Sequence, residues 1–86
     1  MSKIQRLQSN ARMSGAVIHG GVVYLAGQVP NDLSLPVKEQ TQQVLAKIDG
    51  LLAEAGSNKG QLLSAQIWLK DIDRDFASMN EIWDAW

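Results

Sequence analysis

The alternation of apolar and polar positions changes period several times along this chain, and each change marks an element. Residues 3–8 alternate loosely, with Ile4 and Leu7 among Lys3, Gln5, Arg6 and Gln8. This predicts a short strand whose polar content suits a sheet edge. Residues 9–15 have loop composition. Ala16–His19 then reads as a strand and Gly20-Gly21 as a two-residue turn; both glycines accept the positive φ of a primed hairpin turn, so pairing with Val22–Ala26 is well specified. That second run is apolar throughout, and a strand with no polar side needs cover on both faces. Gly27 ends it, as a bulge or a close backbone approach. Pro30 lacks an N–H and halts further pairing, and residues 31–35 form a loop.

The period then changes to that of a helix. Pro36 suits a first turn, and Val37, Thr41, Val44, Leu45, Ile48, Leu51, Leu52 and Ala55 follow at steps of three and four, one face of a long helix. Gly56 is placed to end it in a left-handed cap. Gly50 weakens the helix interior by ~1 kcal/mol relative to alanine, and a close approach of backbone to sheet is its expected reason. Leu63, Ala65, Ile67 and Leu69 alternate with Ser64, Gln66, Trp68 and Lys70, which predicts another strand. Its Trp68 lies on the non-core face, either half covered by neighbours or turned to another subunit. Asp71 or Asp73 caps a second helix, on which Phe76, Met79, Trp83 and Trp86 form an apolar stripe expected to be core. The order β-β-β-α-β-α implies an α+β domain, a mixed sheet with both helices on one face. The sheet's other face is left uncovered. Because the stripe runs to the last residue, the expectation is a single domain, residues 1–86, incomplete at its C-terminus.

Composition narrows what such a domain does. Eighty-six residues build only a small core, and with no cysteine and one histidine the remaining staple is association with partner subunits. Eight basic residues against nine acidic ones, scattered without a stripe, argue against nucleic-acid binding. No apolar run approaches the ~20 residues of a membrane helix, and the N-terminal stretch lacks the apolar centre of a secretory leader; a cytoplasmic protein without a membrane partner is the expectation.

The residues offer little catalytic chemistry by themselves. Arg12, ahead of the hairpin, is a carboxylate or phosphate ligand or a solvated loop arginine. His19 is a proton carrier or an exposed turn histidine, and no carboxylate neighbours it in sequence. Asp71, Asp73 and Asp75 alternate as calcium ligands do, but without the central glycine and distal glutamate of a calcium loop; helix capping accounts for them better. Neither a phosphate loop, a nucleophile triad nor a metal spacing is present.

Several segments together resemble the RidA/YjgF family of reactive-intermediate (imine) deaminases: Leu25-Ala26-Gly27-Gln28-Val29-Pro30, Glu39-Gln40-Thr41 with Ile48-Asp49, Leu52 through Ser57, Leu63 through Asp71, and Asp75 through Trp83. Each is weak alone; their order and spacing make the match specific. The resemblance implies a chorismate-mutase-like fold that associates as a homotrimer through its sheets, with clefts between subunits. It implies a hydrolase that converts enamine and imine intermediates of the 2-aminoacrylate type to 2-oxo acids and ammonia, without metal or cofactor. Older names for the family speak of ribonuclease activity or translation inhibition, which the charge balance disfavours. Carried to this chain, the substrate-binding positions are Met13, Ala26, Gly27 and Asn80. The family often has an aromatic where Met13 stands and serine where Ala26 stands. The arginine that grips the substrate carboxylate and the glutamate that positions water are expected past Trp86, on a strand that would insert between those of Gly27 and Trp68, so no catalytic residue is assigned. The alternative is a non-catalytic trimer of the same fold that binds a small molecule or regulates.

Overall fold

A computed structural model describes residues 3–86; Met1 and Ser2, the start of the stretch read for a leader, lie outside the described residues. Three antiparallel strands, β1 (Gln5–Leu7), β2 (Ala16–His19) and β3 (Val22–Leu25), form a sheet in the order β1-β2-β3. Gly20 and Gly21 take φ of 60° and 78°, the left-handed pair that a primed turn requires, and this sets His19 opposite Val22 and Ile18 opposite Val23. At the other end the ladder is irregular. The Gly15 N–H donates to both Leu7 O (2.9 Å) and Gln8 O (3.3 Å), and Gln8 sits at φ 50°, a left-handed conformation rare outside glycine. A Cβ on Gly15 would come within 3.1 Å of Gln8 Cβ, so a larger residue would require Gln8 to shift by a few tenths of an ångström.

Helix α1 (Val37–Glu54) begins after Pro36, which serves as its N-cap without a side-chain bond. It ends as its sequence predicts. Gly56 is left-handed at φ 78°, and the N–H groups of Gly56 and Ser57 donate to Ala53 O (3.0 Å) and Leu52 O (2.7 Å), closing a Schellman motif. After a 3₁₀ turn at Lys59–Gln61 capped by Asn58, helix α2 (Ile72–Ala85) starts at Asp71, whose carboxylate accepts from Arg74 N. Asp71 is therefore the cap, and Asp73 and Asp75 occupy the first turn, where the helix dipole favours negative charge. Among the described residues no helix is long and apolar enough to cross a membrane.

The core is thin. Among the described residues only Ala16, Leu45, Leu51, Leu52 and Met79 are buried, three of them on α1, which packs against both β3 and α2. The stripe on α2 divides: Met79 is buried, Trp83 and Trp86 are half-buried, and Phe76 is 54% exposed rather than core. The last two rings pack at 5.4 Å, and the Trp86 indole N–H donates to Asp49 Oδ2 at 2.8 Å, tying the end of α2 to the outer side of α1. Lys38 Nζ and Glu81 Oε2, 2.6 Å apart, join the same two helices.

The α+β class holds, with two departures in its detail. The sheet is antiparallel throughout rather than mixed, because residues 62–69 enter no ladder. Alternation specifies which face a strand would bury; it cannot supply the partner backbone, and among the described residues none pairs with this segment. Helix α2 docks chiefly on α1 instead of on the sheet. Leu63 and Trp68 are each 84% exposed, so Trp68 receives no cover from its own chain. The accessible surface is 6536 Å², against roughly 5,000 Å² for a compact monomer of this mass. The radius of gyration is 14.2 Å, where about 12 Å is usual for this length.

Gly50 also departs from expectation. A Cβ built there meets nothing within 4 Å, so no close approach to the sheet accounts for it. Gly50→Ala is therefore expected to stabilise the chain by about 0.5–1 kcal/mol, read as a higher urea midpoint at unchanged slope; a lower midpoint would mean that the position is packed after all. A second expectation concerns acid. Arg74 donates two 2.9 Å bonds to Asp75, and the Ser34 hydroxyl (2.6 Å) and N–H (2.9 Å) donate to Asp32; these bonds hold both carboxyls below their ordinary value of 3.8. Depressed carboxyls stabilise the fold above their unfolded pKa and lose that contribution as pH falls through the folded one. Urea midpoints should hold from neutrality to about pH 5 and then decline, and the decline should be shallower in Asp32→Asn/Asp75→Asn.

Candidate functional site

The residues singled out for substrate binding occupy two places in the fold. Three of them gather at the open end of the hairpin. The loop before β2 closes on itself: the Asn10 side chain accepts from Arg12 N (2.8 Å) and Met13 N (3.0 Å), while Asn10 N donates to Met13 O at 2.8 Å. An asparagine satisfying the backbone two and three residues ahead is a compact way to turn a chain, and it leaves Met13 59% exposed. Two residues later, Gly15 O accepts from Ala26 N at 3.0 Å, extending the hairpin beyond the last residue of β3. Met13 and the half-buried Ala26 are thus tethered to one end of the sheet through Gly15.

Gly27 follows immediately. It is exposed, a Cβ there would meet nothing within 4 Å, and among the described residues its N–H has no backbone partner. Such a position presents main-chain polar groups to whatever occupies the space beside it. Asn80, half-buried on α2, is carried by the other layer, and among the described residues no hydrogen bond connects it to Met13, Ala26 or Gly27. The hairpin group is brought together; Asn80 stands apart from it.

The other candidates take their structural places. Arg12 is exposed in the loop, and His19 is exposed at the last pair before the turn. Arg74 engages Asp75 and, at 3.9 Å, Asp71, so the acidic alternation is a capped and ion-paired helix start. Among the described residues no group of three or more histidine, aspartate or glutamate side chains is gathered as for a metal.

Among the open grooves of the described residues are two that none of the four candidate positions lines. One, of about 410 Å³, lies between the kink at Gln8, the Gln28 loop and one face of α1, with Lys47, Gly50, Leu51 and Glu54 along it. The other, of about 540 Å³, runs between the start of α1 and α2, past Ser34, Lys38, Arg74 and Ser78. In the second, the Lys38 ammonium is held above its ordinary pKa by its bond to Glu81, and the Arg74 guanidinium likewise by Asp75, so both cations already have partners. Sequence reasoning passed over the first groove entirely. Its signal was available in Gly50, a glycine inside a helix, but the polar residues opposite it are separated from it by twenty residues or more.

Comparison with known proteins places this arrangement. A RutC family protein of Haemophilus influenzae is 48% identical over 84 residues, covering 96% of this chain and 72% of that protein. The RutC family protein YoaB of Escherichia coli is 47% identical over 83 residues, covering 96% of this chain and 71% of its own length. The crystal structure of a YjgF-family protein from Neisseria meningitidis, 44% identical, superposes with a TM-score of 0.91 over 98% of this chain and 69% of that one. The sequence profile of endoribonuclease L-PSP matches residues 3–86, from the first described residue to the last. The chain accordingly belongs to the endoribonuclease L-PSP family, the group to which the RidA, YjgF and RutC names also attach.

Proposed function

We propose that this chain is the scaffold part of a cytoplasmic imine deaminase of the RidA type, acting on enamine and imine intermediates such as 2-aminoacrylate. The observation that carries the reading is the backbone agreement with a YjgF-family structure across 98% of the chain. Gly27 is held exposed with its backbone open at the end of β3, where a substrate can approach. In the proposed reaction 2-aminoacrylate tautomerises to 2-iminopropanoate, water adds to the imine carbon, and the carbinolamine loses ammonia to give the 2-oxo acid.

Such a substrate is an anion, and orienting it calls for a cationic clamp as well as an acid–base group for the water. Arg12 is exposed on a loop, and among the described residues no ion pair fixes its position, so it is a poor clamp. We assign clamp and base to residues equivalent to the 28% of the Haemophilus relative outside the match, and to this chain the walls: the Gly27 backbone, Ala26, Met13 and, from the second layer or a neighbouring subunit, Asn80. A homotrimer with its clefts between subunits fits the excess accessible surface. It would cover Tyr24, 57% exposed on β3, and Trp68. Met13 favours a second reading, a binding trimer without turnover, since a thioether offers no hydroxyl to the substrate.

Measuring 2-oxo acid release from 2-aminoacrylate generated in situ tests the first reading. The 86-residue chain alone should not accelerate it. Fusing to it the remaining C-terminal residues of the Haemophilus relative should raise the rate, and Asn80→Ala in that fusion should lower kcat/KM about tenfold, the loss of one hydrogen bond of ~1.4 kcal/mol. No acceleration by either protein would reject the enzyme, and saturable binding of a 2-oxo acid without turnover would establish the second reading. Sedimentation of the fusion should give the mass of three chains.

A further inference from the structure

We propose that the groove between Gln8, Gln28 and helix α1 is a second binding site, separate from the cleft at Gly27, for a short amino-acid zwitterion. It does not depend on the deaminase reading. Three observations converge on it. Gly50 lies on the floor, inside a helix, where alanine would favour the helix and clash with nothing. A residue that weakens its own helix without a packing reason leaves room for something approaching the backbone there. Next, Gln8 is held in a left-handed conformation by the kink over Gly15, and its amide Nε2 is directed across the groove to Glu54 Oε2 at 2.8 Å. Bulges re-aim side chains in this way, and unusual backbone of this kind gathers at functional sites. Finally, Lys47 Nζ is fixed by Val29 O at 2.8 Å and Gln28 Nε2 by Ala26 O at 3.0 Å, so the opposite wall is held in place.

The wall chemistry selects the ligand. Lys47 and Glu54 are seven residues apart on α1, about 10.5 Å along the axis, with Gly50 and Leu51 between them. The ammonium uses one of its three donors on Val29, the carboxylate accepts one bond from Gln8, and each glutamine amide retains a second N–H. A cation at one end and an anion at the other, with amide donors beside them, match a carboxylate toward Lys47 and an ammonium toward Glu54. Two helix turns between the charged residues suit a small amino acid rather than a peptide. The groove is open, so affinity is set by these few polar contacts and should be about millimolar.

Glycine is the probe, titrated into the isotopically labelled chain and followed by the backbone and side-chain amides. Saturable shifts at Gln8, Gln28 and Gly50, at least fivefold smaller with equal acetate or methylammonium, are expected. Gly50→Ala, which favours the helix and so keeps the protein folded, should weaken binding at least tenfold, as should Lys47→Met. Absence of saturable shifts up to about 100 mM glycine, a hundredfold above the expected affinity, would overturn the site. Equal shifts from acetate would overturn the zwitterion, and unchanged affinity in Gly50→Ala would overturn the part given to the glycine.

Discussion

The structure depends on α1 being packed from two sides. Leu45, Leu51 and Leu52 are three of the five buried residues among those described, and the other two are Ala16 in the sheet and Met79 on α2. A buried leucine contributes about 1.5–3 kcal/mol, so three of them on one helix make that helix the common support of both layers. The polar ties repeat the arrangement: Gln8 to Glu54, Lys47 to Val29, Lys38 to Glu81 and Trp86 to Asp49 each fasten another part of the chain to α1.

A core resting on one helix explains what lies uncovered. The outer edge of β3 and the whole of residues 62–68 face outward, and Leu63 and Trp68 have no cover within the chain. Apolar side chains are thereby left exposed, and the backbone of Gly27 is open at the end of β3. The same uncovered face that limits the chain's own stability is the face on which the family-based reading places neighbouring subunits and substrate.

The two groups of functional interest differ in how they are built. Met13, Ala26 and Gly27 come together through local means, an asparagine turn and one hydrogen bond across Gly15, and their placement follows from the hairpin. The groove along α1 is long-range: Gln8 reaches Glu54 across 46 positions and Lys47 reaches Val29 across 18. Hairpin neighbours can be inferred from turn chemistry, whereas a groove between a strand kink and a helix face requires the packing angle between them.

Much of the architecture was legible in the residues, and the reasons are local. Gly20-Gly21 admits one kind of hairpin turn, the three-four spacing from Val37 to Leu52 admits one buried face, Gly56 terminates that helix, and Asp71 caps the next. Five ordered segments of the sequence also carry the family resemblance. Three things were decided only by the tertiary structure. Residues 62–69 carry the alternation of a strand yet pair with nothing, since a ladder needs a second backbone and periodicity describes just one. Phe76 shares its stripe with Met79 yet is exposed, since α2 rests on α1 over only part of its apolar face. Gly50 looked like a contact and is an opening, since a missing side chain signals closeness or room alike until the opposite wall is known.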